Sequence, residues 1–386
     1  MNLRVPGPTP LPKQVREAAA AEMINHRGPE FKELQSAIVE DLQHIFQTTN
    51  DVLILTGSGT GGMEAAIVNL ISPGDKVVAV SIGAFGDRFA EMAEVFGAQV
   101  TKVSVPWGQA AEPDALEEAL DRTPDARLVL VTHNETSTGV TNDLRTLAEV
   151  VRSRRKDGLP LLVVDAISSI GSIPLPVDAW GCDVIVSGSQ KSWMTPPGLV
   201  MLSVSPKAWE VSAQATCPRY YWDLREAKKW ADKGQTPWTP AVGTMFALRA
   251  ALQMMRAEGL EAIYARHRRV AQHMRAGGAA LGLELFADPA HASDTVTTLR
   301  VPAGTDGEAL VKRVREQGVV IAGGQGKLVG QVVRVGHMGY VDTSDIDQVL
   351  AALAVALVEP WGCVEASYAA EERRGPKSGG RRLEVR

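Results

Sequence analysis

Cysteine is scarce in this sequence: three in 386 residues, at positions 182, 217 and 363. Thiols so widely spaced, odd in number and without a CxxC or Cys/His pattern, exclude a disulfide framework and a cysteine-based zinc site. They predict reduced thiols in a reducing compartment. An excess of charge of one sign is also missing. Forty Lys and Arg stand against 45 Asp and Glu, a formal net charge of -5, so no global field draws the chain to nucleic acid or to an anionic membrane. The expected partner is a small molecule. No apolar run approaches a membrane span, and Met1-Asn2 leads straight into Leu3-Arg4-Val5-Pro6-Gly7-Pro8, without the apolar core of a secretion signal. A cytoplasmic location is therefore expected. What is present is an ordinary globular composition, 45% apolar and 22% charged, with enough chain for two packed cores.

Between about Asp51 and Ser205, short β-rich runs alternate with amphipathic stretches, the pattern of a mostly parallel sheet covered on both faces. Seven strands are predicted, over 52–55, 76–81, 100–105, 127–132, 161–165, 183–187 and 199–203. Helices are predicted over 63–70, 86–96, 114–120 and 144–154. After Pro240 two long helical patterns, 244–257 and 260–281, read as a bridge to a second, smaller α/β unit. Its predicted strands are 295–301, 319–321 and 332–335, and its helices 307–317 and 344–358. The expected divisions are an N-terminal segment 1–15 serving the substrate site, a large domain 16–260, a small domain 261–360 and a disordered tail 361–386, polar and without an apolar period.

Three places offer chemistry. Thr56-Gly57-Ser58-Gly59-Thr60-Gly61-Gly62 joins a strand to a helix. Small residues let a phosphate approach the backbone, and the helix N-terminus attracts its charge. The same glycines fit G-x-G-x-x-G, but Ser81 and Ile82 stand where a dinucleotide site wants an acid, and no Gly-Lys-Ser/Thr follows for a P-loop. A tight turn needing positive φ is the plainer alternative. The second place is Lys191, just past a buried strand in Ser187-Gly188-Ser189-Gln190-Lys191, before Pro196-Pro197-Gly198. A partly desolvated amine there is a nucleophile, although most lysines after strands are solvated surface charges. The third is Asp165, ending the apolar strand Leu161-Leu162-Val163-Val164. It is either a helix N-cap or the partner of a buried cation.

Together a phosphate cradle, a strand-end Asp and a later strand-end Lys are the three polar anchors that pyridoxal phosphate needs. With Pro6-Gly7-Pro8-Thr9-Pro10, His26-Arg27-Gly28-Pro29-Glu30-Phe31, His133-Asn134-Glu135-Thr136-Ser137-Thr138-Gly139 and Val333-Arg334-Val335-Gly336, the sequence resembles the class V aminotransferases of fold type I. Within them it is most similar to the alanine:glyoxylate and serine:glyoxylate (serine:pyruvate) group, from Pro6 to about Pro360. The resemblance implies a large domain with a mostly parallel seven-stranded sheet plus a smaller C-terminal domain. It implies pyridoxal 5'-phosphate bonded to Lys191, with Asp165 on the pyridine nitrogen and Ser58, Gly59 and Thr60 on the phosphate with Gln190 nearby. Phe85 and Ile167 would cover the two ring faces, and Thr136 would contact the ring substituents. Arg334 would grip the substrate carboxylate, with Gly7 in the substrate-site segment. Thr239 would reach the phosphate of the neighbouring subunit in a homodimer with shared sites. At Thr236 relatives often carry Tyr.

The implied activity moves an amino group from alanine or serine to glyoxylate or pyruvate. A small donor is expected because no second arginine is placed by motif, although Arg4, Arg27 or Arg219 could approach through folding. An aspartate-type or aminoethylphosphonate-type transaminase, or a lyase, belongs to the same fold. From another class, a non-catalytic subunit retaining the fold is suggested by similarity of Gln190-Lys191 and Pro196-Pro197-Gly198-Leu199 to subunits of a soluble hydrogenase. An NAD-dependent oxidoreductase would not need Lys191. No metal is expected, and His26, His133 and His337 read as structural.

Overall fold

The computed structural model describes residues 1–358. The tail expected over 361–386 and the cysteine at 363 lie outside the described residues. Seven strands, Asp51–Gly57 (β1), Lys76–Ser81 (β2), Gln99–Ser104 (β3), Leu128–Thr132 (β4), Leu161–Asp165 (β5), Val184–Gly188 (β6) and Gly198–Val204 (β7), fall within two residues of the predicted runs. They form one sheet in the order β1-β7-β6-β5-β4-β2-β3. β7 is antiparallel to both of its neighbours, and the other pairs are parallel. Because β1 meets β6 only through β7, it points the same way as the parallel set. The carboxyl ends of β1, β2, β4, β5 and β6 therefore open on one edge, where such sheets bind ligands.

Strand residues alternate between two cores, as a period of two requires. Val52, Ile54, Val129, Val131, Leu162 and Val164 face one apolar cluster, closed by Phe31, Leu42, Leu116, Leu147 and Leu248 from helices. Leu53, Leu55, Leu128, Leu130, Leu161 and Val163 face the other, closed by Ile67, Phe89 and Leu224. The helix predicted from Met63 begins at Gly59 and runs to Leu70. The glycines that argued for a loop are its first turn, because the helix lies so close to the sheet that side chains do not fit. A Cβ on Gly62 would stand 2.2 Å from Val200 Cγ2 and 2.8 Å from Val186 Cγ1. Helices Lys13–Ala19, Pro29–Phe46, Pro206–Ser212 and Leu224–Ala231 are additional to the predicted set.

Helix Val242–Glu258 buries Met245, Leu248 and Leu252 in the first core. After Gly259, at φ 84°, helix Leu260–Ala280 carries Val270 and Met274 into a third core. There Val296–Arg300 (β8), Ala322–Gly323 (β9) and Val332–Gly336 (β10) form an antiparallel sheet in the order β8-β10-β9. Helices Gly307–Glu316 and Thr343–Val358 cover it with Leu310, Val314, Ile346 and Leu353. The strand expected over 319–321 is shorter and pairs elsewhere. Val319–Val320 lies parallel to Asn2–Leu3, so the chain's N-terminus is stitched to this unit. The Gly336 amide donates to Arg4 O at 2.7 Å, and Arg4 ion-pairs with Asp345 at 2.6 Å.

Candidate active site

The strand ends converge on a cavity of about 190 Å³. At the end of β1, Ser58 caps the helix Gly59–Leu70, its hydroxyl accepting from the Gly61 amide at 3.5 Å. The first amides of that helix have no intrahelical partner and carry the positive end of its dipole. Ser58, Gly59 and Thr60 form this wall. A Cβ on Gly59 would meet Ile167 Cδ1 at 2.5 Å, so glycine there lets Ile167 pack against this wall without turning aside.

Beyond β2, the helix Ala84–Val95 presents Phe85 and Arg88 to the cavity. The Arg88 guanidinium lies 4.8 Å from the Phe85 ring centroid, and its Nη1 donates to Thr60 Oγ1 at 3.4 Å. Beyond β4 come Asn134 and Thr136. Asn134 Nδ2 donates to Ser168 Oγ at 2.8 Å and to Thr295 Oγ1 at 3.0 Å, and its Oδ1 accepts from Thr141 and Ser293 hydroxyls.

Asp165 ends β5, paired with Thr132 on one side and Val186 on the other. Its Oδ1 accepts from the Ile167 amide at 3.0 Å. Burial pushes its pKa up to about 7 against that hydrogen bond, with the Glu135 charge acting in the same direction as burial. Past β6, the half-buried Lys191 donates from Nζ to Pro6 O at 2.5 Å. Its backbone is clamped by Thr9, whose Oγ1 donates to Lys191 O at 2.9 Å and whose amide donates to Gln190 O at 3.0 Å. Burial draws the Lys191 pKa down to about 8; Asp165 opposes the shift and Arg334 adds to it. Gly7, at φ 128°, lies against the same amine, since a Cβ there would be 2.7 Å from Nζ.

Besides Gly7, two predicted residues stand outside the cavity wall. Arg334, on β10, donates through Nε to Gly323 O at 2.8 Å and through Nη1 to Thr136 O at 3.0 Å. Its Nη2 makes no hydrogen bond among the described residues. Thr239 is exposed on the loop between helices Leu224–Ala231 and Val242–Glu258. The three arginines left open as distal binders do not line the cavity. Arg4 pairs with Asp345, Arg27 donates to Thr236 O and Pro237 O, and Arg219 donates to the Val68, Ala215 and Cys217 carbonyls.

Sequence reasoning missed Arg88, Asn134, Ser168 and Met63 in the wall, and the clamp by Pro6 and Thr9. Arg88 follows Phe85 at a helical i+3 spacing, a legible signal once Phe85 is singled out. Asn134 and Thr9 sat inside motifs already noted. The contact of Pro6 with Lys191 joins positions 185 residues apart, and nothing local announces it.

The residues fit pyridoxal phosphate. One wall is a glycine cradle at a helix N-terminus for an anion. The opposite side has a buried carboxylate that, among the described residues, makes no ion pair, suited to a protonated ring nitrogen. Between them is an amine held toward neutrality. Gln190 adds a buried amide in the wall whose Oε1 has no partner.

This sheet order, the smaller C-terminal unit and the placement of Lys191 and Asp165 at neighbouring strand ends define a fold-type I pyridoxal-phosphate transferase. The chain belongs to the aminotransferase class-V family, whose model matches residues 3–349. It is 44% identical to the soluble hydrogenase small subunit of Synechococcus sp., covering 92% of this chain and 93% of that protein. It is 40% identical to the L-aspartate–glyoxylate aminotransferase of Paracoccus denitrificans, over 87% of this chain and 85% of that one. Among solved structures it resembles the alanine–glyoxylate aminotransferase of Nostoc sp., with a TM-score of 0.88, 32% identity and coverage of 92% and 95%.

Proposed function

We propose that the protein is a cytoplasmic transaminase that takes the amino group of a small amino acid, alanine or serine, and passes it to glyoxylate or pyruvate with pyridoxal phosphate as cofactor. The observation that carries this reading is the half-buried Lys191 amine, facing the Asp165 charge and held on Pro6 O, with its pKa drawn down to about 8. At pH 7.5 about a quarter of such an amine is neutral, against about one part in a thousand at 10.5. Pyridoxal phosphate, when bound, supplies an aldehyde that bonds amines and a ring that accepts the electron pair left by a departing α-proton.

The chain's own residues divide the remaining work. Ser58, Gly59, Thr60 and Gln190 hold the phosphate, Asp165 keeps the ring nitrogen protonated, and Phe85 and Ile167 close its two faces, with Thr136 at the ring substituents. Lys191 Nζ would be the amine that holds the aldehyde and, when free, the base that would carry a proton between the substrate α-carbon and the aldehyde carbon. Arg334 offers its open Nη2 edge to the substrate carboxylate, and Gly7 leaves room for the amine to swing. The engagement of Arg4, Arg27 and Arg219 elsewhere supports a small donor side chain. Thr239, exposed and absent from this chain's own cavity wall, is assigned to the phosphate site of a second subunit in a homodimer.

A four-carbon acidic donor is the second reading. It is favoured by Arg88, a cation in the cavity wall, and by the name of the Paracoccus relative. The test is visible absorption of the purified protein with pyridoxal phosphate, followed by L-alanine, L-serine and L-aspartate in separate samples, with the keto acid assayed and Lys191→Ala as control. The expected result is a band from lysine-bonded cofactor, absent in the variant, that alanine or serine discharges with release of its keto acid. Discharge by aspartate alone would transfer the assignment to the acidic donor. No band would favour a non-catalytic subunit, as the name of the Synechococcus relative suggests.

A further inference from the structure

Glu135 has no part in the chemistry above, yet it is wholly buried within a few residues of the cavity. Its Oε2 accepts from the amides of Phe85 at 2.9 Å and Gly86 at 3.1 Å, and its Oε1 accepts from the Ser137 amide at 3.0 Å and the Ser137 hydroxyl at 2.7 Å. The Ser137 hydroxyl accepts in turn from the Ala84 amide at 3.0 Å. Four donors occupy both carboxyl oxygens, and they oppose the burial that raises the Glu135 pKa. Glu135 therefore places two accepting oxygens at the N-terminus of helix Ala84–Val95. That helix has no cap of its own, because the N-cap position is Gly83, which makes no side-chain bond. Gly83 must be glycine for the carboxylate to enter, since a Cβ there would lie 2.4 Å from Glu135 Cγ.

The first turn so held is the one that carries Phe85 and Arg88 into the cavity. The residue after Glu135 supplies the carbonyl that receives Arg334 Nη1 at 3.0 Å. One buried side chain thus ties together the aromatic face, the wall arginine and the carboxylate-binding arginine of the small domain, groups that come from two distant parts of the sequence.

We propose that Glu135 is a positioning residue: an in-place cap, supplied by a different strand end, that sets Phe85 and Arg88 against the cofactor and Thr136 O against Arg334. It touches neither substrate nor cofactor. The proposal rests on the reading that the cavity holds pyridoxal phosphate.

The isosteric variant Glu135→Gln keeps the volume but turns one accepting oxygen into an NH₂ facing donors. Ser137→Ala is the milder variant, deleting the hydroxyl that bridges Glu135 to the Ala84 amide. Cofactor-free protein is titrated with pyridoxal phosphate, recording tryptophan fluorescence for Kd and visible circular dichroism per mole bound at saturation. Melting temperature is followed alongside. The expected result is a Kd roughly tenfold weaker for Glu135→Gln and about threefold weaker for Ser137→Ala. A changed dichroism at saturation should accompany both, because the ring is bound but misaligned. If melting temperatures fall while Kd stays within about twofold of the parent and the dichroism is unaltered, Glu135 is only structural and the proposal is overturned. Should Glu135→Gln not fold, Ser137→Ala decides by the same readouts. Parent protein that takes up no pyridoxal phosphate overturns the functional reading and this proposal with it, whereas normal parent binding with unaffected variants overturns this proposal alone.

Discussion

Lys191 and Asp165 carry opposite charges and each favours the ionised form of the other, yet both are moved toward neutrality, Asp165 up to about 7 and Lys191 down to about 8. Desolvation outweighs their mutual attraction, because removing an ion from water costs more than a counter-charge across a cavity returns. The amine should then combine with added pyridoxal phosphate at a rate that climbs through a midpoint near pH 8. Stopped-flow absorbance checks this, and a midpoint close to 10.5 would show that burial does not set the amine's basicity. Asp165 gives a second prediction through linkage. Its folded value lies above the unfolded one, so between about pH 4 and 7 the folded cofactor-free protein binds the extra proton. The stabilisation is full below the unfolded pKa and is lost as the pH rises through 7. Asp165→Asn, which is neutral throughout, should therefore gain stability relative to the parent between about pH 5 and pH 8, as read from urea midpoints. A constant difference would mean that the carboxyl is not perturbed.

Secondary-structure elements meet here at distances that glycine alone permits. Gly336 on β10 lies under the N-terminal segment, where a Cβ would be 2.1 Å from Val5 O and 2.5 Å from Val5 C. These are backbone atoms that cannot swing aside, unlike Ile167 Cδ1 over Gly59. Gly336→Ala should push residues 2–9 off the small sheet and with them the Pro6 carbonyl that receives Lys191 Nζ. Faster hydrogen exchange at Arg4 and Gly336, together with weaker cofactor retention, is the expected outcome. Gly62→Ala should act differently, wedging helix Gly59–Leu70 away from Val186 and Val200. Overpacking of that kind costs about 1–3 kcal/mol, so thermal melting should fall while the Lys191 clamp stays intact.

For the molecule as a whole, the groups that the proposed function assigns to the substrate are split between two units. Lys191 and Asp165 belong to the seven-stranded sheet, and Arg334 to the three-stranded one, with Thr136 O joining them. In the homodimer reading Thr239 adds a contribution from a second chain. Dilution until sedimentation reports a monomer should weaken pyridoxal phosphate binding, and Thr239→Ala should do so without dissociating the dimer. Cofactor affinity independent of concentration would confine the site to one chain.

By itself the sequence determined the large sheet almost to the residue, because Val, Ile and Leu runs bounded by Gly, Pro and Asp are a local signal that buried parallel strands require. It also determined which residues stand at the strand ends, and so brought Ser58, Asp165, Ile167, Gln190 and Lys191 to one edge, since motif order follows strand order. Tertiary structure alone decided the rest. The start of helix Gly59–Leu70 depended on its close packing against Val186 and Val200, which overrides the low helix propensity of glycine. The N-terminal strand pairs with Val319–Val320 across more than three hundred residues, and Pro6 reaches Lys191 only because of it. Glu135 looked like one more polar residue in a motif. Its four hydrogen bonds come from a helix fifty residues earlier and a turn two residues later, and only a folded chain brings those donors to one buried carboxylate.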